Sequence, residues 1–251
     1  MAEDDADIGV CIPVLNEHAV LGGLLDELRD TLGQSRYSIC IVDDGSVDGT
    51  RELVRARASQ DRRIFLLERT KTRPGCRRGG ASRAGLGWLL ANTTHAYFCD
   101  LDADGANRPS EILTLSAVAR REAADVVIAS KYVPGAVVTG RPLLRRFASR
   151  AYSGGLRVLL GGGIRDFSNS FRVYRREAAA KVMQANLAYD TPTYLIEMLA
   201  VWLSHGLRVV EVPTQYHERR TGASKVIPSD LLRGALGAVH VGMRYRFGTY
   251  R

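Results

Sequence analysis

Asp100, Asp102 and Asp104 stand at alternate positions in Tyr97-Phe-Cys-Asp-Leu-Asp-Ala-Asp-Gly105, directly after an apolar run. If that run is a strand, alternate side chains share a face, and three carboxylates crowd one side of the chain where it leaves a sheet. Their repulsion raises at least one pKa. A divalent cation removes that penalty. Oxygen-only ligands suit Mg²⁺ or Mn²⁺, and such an ion commonly also holds substrate phosphates. An ordinary polar turn is the competing explanation, since Asp and Gly favour turns.

Further segments carry polar groups suited to a phosphate-bearing ligand. Residues 42–50 end a predicted strand in Asp43 and Asp44, followed by a Gly turn and a helix start expected at Ser46 or Asp48. Residues 73–83 form a basic, Gly-containing turn into a helix, where backbone N–H groups and Arg side chains can approach phosphates. Arg83 is the favoured substrate residue there, and for Arg77 and Arg78 a solvated basic loop is at least as good a reading. Asp166 and Glu197 are carboxylates that could act as general bases toward a hydroxyl, with structural hydrogen bonding as the alternative. The five histidines form no cluster, and Trp88 and Trp202 lie in apolar helical stretches that suit a core.

The first half of the chain must position these groups. Strands are predicted over 8–14, 37–42, 64–67, 96–99 and 126–129. Helices alternate with them over 19–32, 48–59, 79–90 and 109–123. Such alternation implies an α/β fold, a mainly parallel sheet covered by helices on both faces. Ligands on such sheets bind beyond the carboxyl ends of the strands, where Asn16-Glu17, Asp43-Asp44 and Asp100–Asp104 fall. The second half is less regular. It holds a Gly/Pro/Val-rich loop over 133–142, helices over 143–160, 192–204 and 231–245, and short strands over 171–174 and 209–212.

The chain has 251 residues, enough for one α/β domain with a sizeable core. Its net charge of +8 fits phosphorylated substrates, anionic lipid surfaces or nucleic acid. Nucleic acid is disfavoured because no stacking-aromatic or helix-turn-helix pattern accompanies the charge. Four cysteines without a C-x-x-C pair argue against a zinc site or disulfide framework. No apolar run reaches membrane-spanning length, and the acidic residues 1–7 are unlike a signal peptide. A cytoplasmic protein is expected. The basic residues of 226–251 suggest an amphipathic helical tail able to sit peripherally at the inner face of a membrane.

Segments in order along the chain carry a family resemblance. Ile12-Pro-Val-Leu-Asn-Glu17, Val42-Asp-Asp-Gly-Ser-Val-Asp-Gly-Thr50 and Asp100-Leu-Asp-Ala-Asp104 resemble the signatures of family 2 inverting glycosyltransferases of the GT-A (Rossmann-like) fold. Ala129-Ser-Lys-Tyr-Val-Pro-Gly135, Arg165-Asp-Phe-Ser-Asn-Ser-Phe-Arg-Val-Tyr-Arg175, Ile196-Glu-Met198 and Glu211-Val-Pro213, followed by Arg219-Arg-Thr-Gly-Ala-Ser-Lys225, are similar to the polyprenyl (dolichyl) phosphate mannosyltransferase branch. The resemblance implies a GT-A domain over 1–225. It implies transfer of a hexose, mannose first, from a nucleotide sugar (GDP-mannose or UDP-glucose) to a polyprenyl phosphate lipid.

By the same resemblance, Pro13, Glu17, Asp44 and Arg83 would bind the donor, and Asp102 and Asp104 would bridge Mg²⁺ or Mn²⁺ to its diphosphate, with Asp100 second. Lys131, Arg145, Arg172, Arg220 and Lys225 would line the acceptor phosphate and leaving diphosphate. Ala106 stands where this branch carries a metal-ligating Gln. Ser168-Asn-Ser170 replaces a Thr-Ser-Gly, and a Ser at 170 restricts the backbone. Two alternatives remain open: the same fold acting on a soluble hydroxyl or amine, and a non-catalytic nucleotide-sugar-binding subunit.

Overall fold

The computed structural model describes residues 6–70, 78–140, 143–161, 163–218 and 228–250, without the side chains of 143–148 and 228–232. The first half runs β1 (Asp7–Val14), α1 (His18–Leu32), β2 (Arg36–Asp43), α2 (Thr50–Gln60), β3 (Ile64–Glu68), α3 (Arg78–Asn92), β4 (Tyr97–Asp100), α4 (Glu111–Arg121) and β5 (Val126–Ser130). The second runs β6 (Val137–Thr139), α5 (Leu143–Leu160), β7 (Arg172–Arg175), α6 (Arg176–Gln184), α7 (Tyr194–Ser204), β8 (Val209–Pro213), β9 (Gln215–His217) and α8 (Pro228–Arg246).

Seven strands form one sheet in the order β3-β2-β1-β4-β7-β5-β8. All pairs are parallel except those of β7, which runs antiparallel between β4 and β5. Alternation in β1 shows how sequence builds the layers. Ile8, Val10, Ile12 and Val14 enter one apolar cluster with α1 and α4, whereas Cys11 enters the other with α3 and α7. Helices therefore cover both faces, as the alternating pattern requires.

Close approach of α3 to the sheet depends on Gly85. A Cβ there would lie 2.5 Å from Cys11 Sγ and 2.6 Å from a Val42 methyl. Helix α8 joins the same cluster through Ala238 and Val241, packing against α5 and α7.

Two small elements depart from the expected pattern. Residues 137–139, within the predicted loop, pair with Gln215–His217 as a separate two-stranded parallel sheet. Helix α6 follows β7 with no intervening turn residue, which left no punctuation to read. Helix α2 begins at Thr50, not at 46 or 48, because Asp48 accepts from Thr50 N at 3.1 Å and so sits outside the first turn.

Candidate active site

The loops after β1 and β2 interlock at the carboxyl edge of the sheet. Asn16, held at φ 52°, donates from its backbone to Ser46 Oγ (2.9 Å) and accepts from Val47 N on Oδ1 (2.8 Å). Glu17 N donates to Thr50 Oγ1 and His18 N to Asp48 Oδ2. Asp43 is buried and serves the turn, accepting from Gly45 N and Ser46 N and from Arg51. Burial would raise its pKa, but the Ser46, Arg51 and backbone donors outweigh that and hold it below the ordinary value. Asp44, the next residue, pairs with Arg69 at 3.0 Å. Pro13, Glu17 and Asp44 thus border one edge of the sheet.

The turn after β4 keeps the predicted alternation past the end of the strand. Leu101 and Ala103 are buried in the cluster that contains α1 and α4, so Asp100, Asp102 and Asp104 take the other side. Their fates differ. Asp100 is buried, accepts from Tyr174 Oη at 3.0 Å, and has its pKa raised by burial. Among the described residues no group of three His, Cys, Asp or Glu comes together as a metal cage. Asp100 keeps second place behind Asp102 and Asp104: its side chain is enclosed by the protein, with Tyr174 on Oδ2 and Oδ1 buried without a hydrogen-bond donor among the described residues. Asp102 is 30% exposed, with Arg78 Nε 2.5 Å from Oδ1 and the Ser170 hydroxyl donating to Oδ2 at 2.6 Å. Asp104 Oδ1 accepts from Ala106 N at 3.1 Å, and His217 N donates to the Ala106 carbonyl, tying β9 to the turn.

On the acceptor side the geometry sorts the remaining candidates. Lys131 Nζ sits 3.2 Å from Asp166 Oδ2 and 5.0 Å from the centre of the Tyr216 ring. Asp166 is fully buried and accepts from the backbone of Lys131, Ser168 and Asn169. Burial alone would raise its pKa, but the Lys131 charge and these amides hold it below the ordinary carboxylate value.

Arg172 is also fully buried and donates to the carbonyls of Asn169, Leu195 and Phe167. It clamps three backbone segments and has no exposed surface. Glu197 is buried on α7. It accepts from Ala188 N, Tyr189 N, Arg244 and Tyr250 Oη, and so fastens the C-terminal segment. Neither Asp166 nor Glu197 has the open carboxylate oxygen that a general base needs. The side chain of Arg145, and all of Arg220 and Lys225, lie outside the described residues.

A cleft of about 530 Å³ is lined by Arg69, the partner of Asp44, with Gly80, Arg83, Ala84, Met183, Ala188 and Asp190. Arg83 therefore faces a cavity large enough for part of a nucleotide. Arg78 makes a contact with Asp102 that the sequence reading did not single out. A solvated basic loop is at least as good a reading of its sequence as a phosphate contact, yet its side chain is only 16% exposed and meets Asp102. The available signal was its place before Gly79-Gly80 at a helix start. A Cβ on Gly79 would lie 2.7 Å from Tyr194, so Gly79 lets α3 and α7 start together, and Arg78 reaches Tyr194 Oη at 3.0 Å.

The donor set fits a divalent cation. Asp102 and Asp104 supply oxygen only, on a turn that solvent reaches, and Mg²⁺ keeps several waters where protein ligands are few. Ala106 supplies no side-chain ligand, so water would complete the sphere.

Comparison with known proteins places the chain among relatives. Residues 9–183 match the family description Glycosyl transferase family 2. A polyprenol monophosphomannose synthase from Mycolicibacterium smegmatis is 34% identical over 245 residues, covering 96% of this chain and 89% of that protein. An undecaprenyl-phosphate mannosyltransferase from Micrococcus luteus is 32% identical over 244 residues, covering 94% and 97%. Among solved structures, glucosyl-3-phosphoglycerate synthase from Mycobacterium tuberculosis in complex with Mn²⁺, UDP and glucosyl-3-phosphoglycerate shares the fold. Its TM-score is 0.66 at 18% identity, covering 96% of this chain and 80% of that one.

Proposed function

The chain belongs to glycosyl transferase family 2, and we propose that it transfers one hexose, mannose first, from a nucleoside-diphosphate sugar to a polyprenyl phosphate with inversion. The observation that carries this reading is the Asp102–Asp104 turn at the carboxyl edge of the sheet, with Arg78 on Asp102; Arg78 opens α3, the helix whose Gly80 and Arg83 line a cleft together with Arg69, the partner of Asp44. The two mannosyl-transferring relatives match along nearly the whole chain and support the lipid-phosphate acceptor.

A chemical point favours that acceptor over a hydroxyl. A phosphate monoester is an anion near neutral pH and needs no base to attack, so catalysis reduces to positioning and charge stabilisation. Asp166 and Glu197, whose oxygens are engaged by protein donors, suit such a reaction. The acceptor oxygen bonds to the anomeric carbon from one face while the bond to the diphosphate breaks on the other. Asp102 and Asp104 would hold a Mg²⁺ or Mn²⁺ ion, which would supply positive charge to offset that of the departing diphosphate. Pro13, Glu17, Asp44 and Arg83 hold the nucleoside, and the cations of the second half orient the acceptor.

The test is incubation of radiolabelled GDP-mannose or UDP-glucose with polyprenyl phosphate and Mg²⁺. Label is expected in the organic phase and is abolished by EDTA. Label that stays in water-soluble products with a soluble acceptor would replace this reading by the hydroxyl or amine alternative.

The work site is the cytosolic membrane surface, and α8 supports that placement. Among the described residues no helix is long and apolar enough to cross a membrane. Leu236, Val239, Met243 and Phe247 are nevertheless exposed, by 65%, 49%, 52% and 80%, at helical spacing along one stripe. Gly237, Ala238, Val241 and Gly242 pack on the opposite side. Arg233 and Arg246 flank the stripe. Arg246 donates to the Val158 and Leu159 carbonyls, which brings exposed Val158 of α5 alongside.

Helices α5 and α8 contain seven arginines and one acidic residue, Asp230, a charge that complements an anionic bilayer. The protein should sediment with phosphatidylglycerol vesicles at low salt, and Met243→Ser/Phe247→Ser should reduce the bound fraction about tenfold or more. If it stays in the supernatant but forms a dimer that this double variant dissociates, the stripe is a contact between two copies.

A further inference from the structure

Resting on the donor reading above, we propose that Arg78 is an exchangeable cation. Arg78 and a divalent metal ion are alternatives on Asp102, and the donor diphosphate shifts the balance by drawing the guanidinium to itself. Both oxygens of Asp102 are engaged by the chain: Arg78 Nε is 2.5 Å from Oδ1, and Ser170 donates to Oδ2 at 2.6 Å. A Mg²⁺ ion binds oxygen at about 2.1 Å. Seated on Oδ1, it would lie within a few ångströms of the guanidinium, where like charges repel strongly at low dielectric. One of the two must leave.

Arg78 has both somewhere to go and a pivot. It is the first residue of the 15-residue α3, whose opening N–H groups favour an anion. Its Nη1 donates to Tyr194 Oη at 3.0 Å, and Tyr194 is itself held by Ser82 at 3.1 Å. The planar guanidinium can keep Tyr194 while its other edge turns from a single carboxylate to a diphosphate, which offers paired acceptors and more charge. Asp100 lies close by, buried and hydrogen-bonded by Tyr174, and adds the negative field that keeps a cation at this corner. Metal and donor therefore bind cooperatively through one side chain. The donor removes the competitor of the metal, and the metal frees the guanidinium for the donor.

The test is Mn²⁺ binding to the full chain, read by the free-ion resonance signal, with no turnover required. Arg78→Gln should bind Mn²⁺ alone about fivefold or more tightly than the unaltered protein, the scale of one partly buried ion pair. GDP should raise Mn²⁺ affinity in the unaltered protein, and that enhancement should shrink in Arg78→Gln by a similar factor, as linkage requires. Arg78→Lys, which keeps a compact charge, should fall between. If Arg78→Gln binds Mn²⁺ no more tightly, the inference is overturned.

Nitrogen-15 labelling of arginine gives a second readout on the unaltered chain. The Arg78 Nε–H resonance should move when Mg²⁺ and GDP are added together, and a stationary resonance overturns the inference even if the variants misfold. Absence of Mn²⁺ binding by every form, GDP included, would instead sink the metal-dependent reading of the site.

Discussion

Asp104→Asn should lower kcat/KM for hexose transfer by about 10²- to 10³-fold while leaving the melting temperature within about 2 °C. Asn has the shape of Asp, and its side-chain oxygen can still accept from Ala106 N, the bond that shapes the turn. The charge alone is removed. A carboxylate that holds a dication on a leaving diphosphate acts where charge develops, so its loss falls on the transition state. Steady-state rates at saturating and limiting donor, with Mg²⁺ varied, check this. The residual activity should need higher Mg²⁺. A variant that retains half its activity with an unchanged Mg²⁺ requirement would show that Asp104 holds no metal.

The sheet was legible because each parallel strand is a short β-branched run closed by polar turn residues. Ile8–Val14 and the run ending at Asp43 need little beyond that pattern. The position of Asp102 and Asp104 follows, since any chain leaving β4 must present them at the carboxyl edge. What the pattern withheld is tertiary. Nothing local says that Arg172-Val-Tyr-Arg175 enters the sheet antiparallel, although this places Tyr174 on Asp100 and buries Arg172. Strands of three residues, such as Val137–Thr139, are too short to show periodicity. Arg78 was not singled out for a related reason. Its neighbours in sequence are basic and polar, but its neighbours in space are Asp102 and Tyr194, brought there by the close packing that Gly79 permits. Ser170 was weighed for its backbone, whereas its hydroxyl makes the contact that matters.

Glu197→Gln should destabilise the fold by about 3–5 kcal/mol, the cost of breaking a buried charge pair on one side. Glu197 has no solvent exposure and accepts from four donors, two of them backbone amides at 2.9 Å that place the segment bordering the cleft. The other two are Arg244 at 2.8 Å and Tyr250 Oη at 2.9 Å, which fasten α8 and the residues after it. Gln brings two N–H groups into a site built of donors and leaves the Arg244 guanidinium, 15% exposed, without its counter-charge.

For a chain of this size the melting temperature should fall by about 10 °C, read by circular dichroism at fixed metal and protein concentration. Glu197→Leu/Arg244→Met, which removes both partners, should recover part of the loss, because an apolar pair avoids the stranded charge. Activity separates this role from chemistry. Per folded molecule at 20 °C, transfer to a lipid phosphate should change less than about threefold in Glu197→Gln. A loss of 10²-fold or more with unaltered stability would make Glu197 a general base. The acceptor would then have to carry a proton that must be removed, a hydroxyl in place of a phosphate.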